Sequence, residues 1–155
     1  MSKLILNDNT LGEFEHYYMN NMQLLANIID PNMLFAEVAR AGGKTEGVTG
    51  PRLIRVANDM PGELSFLVHK TYEALMTHAW PNIQAYFSRQ VVVNGQQRSM
   101  LEYGIDYVVG ESTLPSHFRK PRYPIAYAKH SVIFRNGAHL QLVSSDQPES
   151  VAGRN

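Results

Sequence analysis

Apolar positions along this chain switch between two spacings, and the switches mark its elements. Leu24, Leu25, Ile28 and Ile29 form a modest helical stripe at the end of a stretch rich in helix formers, so a helix is predicted over Leu11 to Ile29, stopped by Asp30-Pro31-Asn32. Met33 to Val38 is a short apolar run that reads as a first core strand, followed by the turn Gly42-Gly43. A helix is predicted from Thr45 to about Asn58, with Leu53, Ile54, Val56, Ala57 and Met60 carrying its apolar surface; Pro51 should kink or restart it. After Met60-Pro61-Gly62, Ser65 to Val68 reads as a second strand.

The next helix, from about Thr71 to Ser88, is better patterned. Tyr72, Leu75, Met76, Ala79, Ile83, Tyr86 and Phe87 share one face, and Pro81 predicts a bend within it. From Gln90 to Lys129 the pattern breaks into short pieces, notably Val91-Val92-Val93 and Tyr107-Val108-Val109, which we read as an insertion of short strands and loops. Ser131 to Arg135 and Ala138 to Val143 flank Asn136-Gly137, the strongest short hairpin signal, because both central residues of a type I′ turn need φ > 0. Strand, loop, helix, strand, helix in this order predicts a βαβ unit: an α/β fold with a mostly parallel sheet, flanking helices and a C-terminal β-hairpin. The segments are 1–32 (helical lead-in), 33–89 (core), 90–130 (insertion) and 131–155 (hairpin and a following turn).

Composition narrows this picture only slightly. The 155 residues are 44% hydrophobic and 18% charged, ordinary for one globular domain. Net charge is zero, so no global basic field announces nucleic acid, and any such contact must be local or lie outside this chain. With no cysteine there is neither a disulfide framework nor a thiolate metal site. The N-terminus lacks a sustained apolar h-region, and no stretch approaches the roughly 18 apolar residues that span a bilayer, so a soluble intracellular protein is expected.

The chemistry concentrates at Ala39-Arg40-Ala41-Gly42-Gly43-Lys44-Thr45. Strand, glycine turn, lysine and hydroxyl is how a phosphate cradle is built: small residues at Ala41, Gly42 and Gly43 let backbone N–H groups converge on phosphate oxygens, and the following helix adds partial positive charge. Lys44 is expected to reach the β- and γ-phosphates of ATP and Thr45 to hold Mg²⁺ through its hydroxyl. The strict pattern GxxxxGK[ST] needs a glycine where Val38 stands. The plain alternative is an ordinary glycine turn between a strand and a helix.

That loop, the order of elements and the ending from Phe134 to Asn155 resemble the ATPase domain of tailed-phage terminase large subunits, the motors that package DNA into capsids. Members of that family often carry a deviant phosphate loop without the first glycine and with an arginine four residues before the lysine; here Arg40 stands four before Lys44. The resemblance covers roughly residues 20 to 90 and 130 to 155. It implies a P-loop NTPase-like fold, Lys44 and Thr45 as phosphate and magnesium residues, and Arg40 as a catalytic residue that senses or stabilises the γ-phosphate. The implied partners of the intact motor are double-stranded DNA, the portal protein and the small terminase subunit, in the cytoplasm of an infected bacterial host and with no membrane. Hydrolysis in the family needs a later apolar strand ending in Asp-Glu. Nothing downstream of Thr45 supplies it, so the resemblance implies an incomplete domain that binds nucleotide without turning it over. A small P-loop phosphotransferase with a degenerate loop and a non-catalytic structural or adaptor domain stay open beside it.

Three other features bear on function. Arg119-Lys120-Pro121-Arg122, flanked by Phe118 and Tyr123, suits backbone or single-strand contacts, a kinase-type arginine lid, or a solvated loop. The six histidines show no pair at metal-binding spacing, and none is assigned as a ligand. Asp146 and Glu149 lie just beyond a strand end, where active-site residues sit in parallel α/β sheets.

Overall fold

The computed structural model describes residues 2–5, 13–16, 49–93, 96–111, 113–125 and 128–146. Its elements are β1 (Ser2–Ile5), β2 (Glu13–His16), α1 (Gly50–Asp59), β3 (Leu64–His69), α2 (Tyr72–Ala74), a π-helical segment (Leu75–Ala79), α3 (Trp80–Phe87), β4 (Gln90–Val93), β5 (Gln96–Ser99), β6 (Tyr107–Val109), a 3₁₀ turn (Ala128–His130), β7 (Ser131–Phe134) and β8 (His139–Ser144). The expected strand at Met33–Val38 falls outside the described residues, as do the phosphate-loop residues.

The main sheet runs β3-β8-β7-β6. β3 and β8 are parallel, with Leu64 opposite His139 and His69 opposite Ser144, whereas β8–β7 and β7–β6 are antiparallel. The described sheet is therefore mixed, not mostly parallel: the hairpin strand β7 and the strand β6 turn two of its three pairings antiparallel. β6 comes from within the expected insertion, yet it is an integral strand of this sheet. Alternation along β7 explains the two-sided core. Val132 and Phe134 join Leu140, Leu142 and Tyr107 on the face covered by Ile54 and Ala57 of α1 and by Leu75, Ile83 and Phe87. Ile133 faces the other way, with Val108 and Phe118.

The helix predicted from Leu11 does not form at its start. Glu13–His16 is a strand, paired antiparallel with Ser2–Ile5 so that Leu4 stands opposite Phe14. Helix propensity is a weak prior, and the charged–apolar alternation of Glu13-Phe14-Glu15 suits a strand once a partner is available. The rest of that predicted helix lies outside the described residues.

The helix bearing Pro81 is continuous, and the way it accommodates proline is visible. Trp80 N–H reaches back five residues to the Leu75 carbonyl, one residue more than an α-helix requires. This wider turn sits directly before Pro81, whose ring would otherwise crowd the carbonyl four residues back. Thr71 caps the start, accepting from Ala74 N–H at 3.2 Å. Pro51, by contrast, occupies the first turn of α1, where a missing N–H is harmless.

Between β7 and β8 the turn is not the two-residue type I′ expected from Asn136-Gly137. Gly137 N–H donates to the Phe134 carbonyl at 2.8 Å, and Phe134 N–H donates to Ala138 at 2.9 Å. Arg135 and Asn136 are thus the turn corners, and Gly137, at φ +85°, is the left-handed residue that follows. Asn136 is buried here and earns its place: its side chain donates to the Ala57 carbonyl of α1 and accepts from Ala138 N–H at 3.0 Å.

Candidate functional site at the carboxyl end of the parallel strands

In a parallel α/β pair, ligands bind beyond the carboxyl ends of the strands. The structure brings His69, Lys70 and Thr71 of one strand end together with Ser144, Ser145 and Asp146 of the other. Ser145 N–H donates to the His69 carbonyl at 2.8 Å, and its hydroxyl donates to the Lys70 carbonyl at 3.2 Å. These two bonds hold the ends at one level and leave Asp146 exposed beyond them. Glu149 lies outside the described residues.

Tyr72, at the start of α2, stacks on His130 with ring centroids 4.2 Å apart. Burial raises the Tyr72 phenol pKa, and burial followed by the charge of Lys129 lowers that of the His130 imidazole. Below this pair a polar chain crosses the sheet: Gln141 donates to the His130 carbonyl at 3.0 Å, and Ser131 donates to Gln141 Oε1 at 3.0 Å. Since the Ser131 proton is used there, His139 Nε2, 3.0 Å from the same hydroxyl, is the donor to it. No local sequence pattern marks this arrangement. Tyr72 and His130 are far apart in sequence, and so are His69 and Ser145, which the parallel pairing of β3 with β8 makes neighbours.

A separate cleft of about 520 Å³ opens where Thr49, Arg52 and Val56 face Ser65, Phe66 and Leu140. It lies beside the first half of β3 and not at its carboxyl end. Thr49, with φ −65° and ψ −49°, precedes α1 as its N-cap; the start of the helix predicted from Thr45 lies outside the described residues. Arg40, Ala41, Gly42, Gly43, Lys44 and Thr45 lie outside the described residues. Among the described residues no three histidine, aspartate or glutamate side chains gather to hold a metal ion, and no helix is long and apolar enough to cross a membrane.

The basic cluster takes a form that composition alone did not reveal. Phe118 is buried in the second core cluster, so it is an anchor and not a stacking platform. Arg122 pairs with Glu63 at 2.7 Å, which raises its pKa, and lies 5.9 Å over the Tyr123 ring. Arg119 and Lys120 remain exposed.

No protein-family model, no curated protein and no solved structure matches this chain.

Proposed function

We propose that this chain is the ATP-binding portion of a phage terminase large subunit, whose intact motor uses hydrolysis to drive double-stranded DNA into a procapsid. The observation that carries this reading is the parallel, in-register pairing of β3 with β8. It supports the reading because it makes a true α/β unit from the strand after α1 and the strand that ends the C-terminal hairpin, with their carboxyl ends side by side.

In this reading Ala41, Gly42 and Gly43 present backbone N–H groups, Lys44 neutralises the β- and γ-phosphates, Thr45 offers its hydroxyl to Mg²⁺ and Arg40 adds charge near the γ-phosphate. Bound Mg-ATP would supply the phosphoryl chemistry of the intact motor; this chain by itself is expected to bind without turnover.

Equilibrium binding of Mg-ATP to the purified chain tests this directly. Wild type is expected to bind, Lys44→Ala to bind at least about tenfold more weakly, since a charge-assisted phosphate contact is removed, and ADP not to accumulate. Equal nucleotide behaviour of wild type and Lys44→Ala would favour the adaptor reading. Transfer of phosphate to a small acceptor would favour the phosphotransferase. The basic segment, tied down by backbone hydrogen bonds at Arg119 and Arg122, is not built as the hinged lid that the phosphotransferase would use.

A further inference from the structure

We propose that Arg119 and Lys120, with Arg135 beside them, form a rigid contact strip for the phosphate backbone of double-stranded nucleic acid, at the hairpin-turn end of the sheet. The choice of nucleic acid as the polyanion rests on the function proposed above; the strip itself rests on geometry.

The first observation is that the strip is pinned. Arg119 N–H donates to the Arg135 carbonyl at 2.9 Å, Phe118 N–H to Pro115 at 2.9 Å, and Arg122 N–H to Gly62 at 2.9 Å. Gly137 lets the hairpin turn press against it: a Cβ there would stand 3.1 Å from the carbonyl oxygens of both Arg119 and Lys120. Buried Phe118 anchors the segment from inside. Backbone held this way spends little conformational entropy on binding, unlike an ordinary solvated loop.

The second observation is the charge balance. The chain as a whole is neutral, yet Arg119, Lys120, Arg122 and Arg135 meet here. Glu63 is taken by Arg122, and Asp106 is taken by Arg98 at 2.6 Å, with Arg135 3.8 Å away. Among the described residues no carboxylate forms an ion pair with Arg119 or Lys120. Two adjacent exposed cations on fixed backbone suit a regular array of phosphates.

The third observation selects duplex over single strand. Single-strand binders stack successive bases on exposed aromatic rings. Phe118 is 7% exposed and withholds its ring, which leaves Tyr123, 43% exposed with the Arg122 guanidinium 5.9 Å from its ring centroid, as a single ring beside the strip. The strip offers charge with one neighbouring ring and no succession of stacking platforms, which predicts binding that is salt-dependent and indifferent to sequence.

The test is titration of a short DNA duplex into the purified chain over a series of salt concentrations, for wild type, Arg119→Ala/Lys120→Ala and Lys129→Glu. The last two change net charge equally, and circular dichroism checks that each variant is folded. Each phosphate contact contributes about 0.9 to the slope of log affinity against log salt, so the double variant should lose about 1.8 of slope and about tenfold or more in low-salt affinity. Lys129→Glu should bind as wild type.

The proposal is overturned if wild type does not bind duplex, if the double variant binds unchanged, or if Lys129→Glu weakens binding equally, which would make the effect one of net charge. Tighter binding of a single-stranded homopolymer than of the duplex would also overturn it. Mg-ATP binding measured on the same preparations separates the two readings. Duplex binding that survives Lys44→Ala while ATP binding is absent from wild type would leave the strip standing and remove the nucleotide site.

Discussion

Asp106 is 1% exposed, and its carboxylate accepts from Arg98 at 2.6 Å and from Glu102 N–H at 3.0 Å. Its own carbonyl receives Arg135 N–H at 2.8 Å, so one residue ties the β5 end, the 102–106 turn and the hairpin turn together. Asp106→Ala should cost roughly 1–3 kcal/mol by urea unfolding, because Arg98 and the Glu102 N–H lose their carboxylate acceptor. Gly137→Ala should cost about 1–2 kcal/mol in the same assay, because a left-handed φ of +85° is disfavoured for any residue with a Cβ. His130 makes stability depend on pH. Its imidazole pKa lies below the ordinary 6.5 in the folded chain, so the unfolded chain takes up more protons once the pH drops past 6.5. Stability should be flat above that point and fall as pH drops through the folded value, and His130→Phe, which keeps a ring against Tyr72, should flatten this part of the profile. Of these residues only Gly137 was legible in sequence, through the dipeptide Asn136-Gly137. Asp106 and His130 draw their character from partners that no local pattern names.

At the scale of elements, sequence periodicity was informative wherever one face is buried against many neighbours. The helix face from Tyr72 to Phe87 packs on the core as its spacing predicts, with Leu75, Ile83, Tyr86 and Phe87 buried. The N-terminal strand pair was not legible, because a single apolar residue between glutamates gives too weak a period to outweigh helix formers. The mixed direction of the sheet was not legible either: a hairpin fixes its own two strands as antiparallel but does not say which of them borders β3. Packing between α1 and α3 is close at Gly50, where a Cβ would overlap the ring of Tyr86. Gly50→Ala should therefore destabilise by about 1–3 kcal/mol through overpacking, even though alanine is the better helix former. A gain in thermal midpoint for this variant would show that Tyr86 can rotate away.

For the whole molecule, sequence reading located the strand after α1 and the C-terminal hairpin but could not see which residues their ends assemble. The motif that pointed to nucleotide, Arg40 to Thr45, lies outside the described residues, so its chemistry stays a proposal that the Lys44→Ala experiment decides. The architecture itself has a kinetic consequence. β8 is buried along its whole length and stands between β3 and β7, yet it is the last strand of the described sheet to be made. Until it arrives, β3 has no neighbour in that sheet, and its Phe66 and Val68, still 42% and 61% exposed in the finished fold, sit on an open edge. Joining segments this distant in sequence is slow and leaves apolar edges exposed meanwhile. A ribosome stalled before His139 should hold a protease-sensitive nascent chain, and one that has cleared Ser145 from its exit tunnel should hold a protected one.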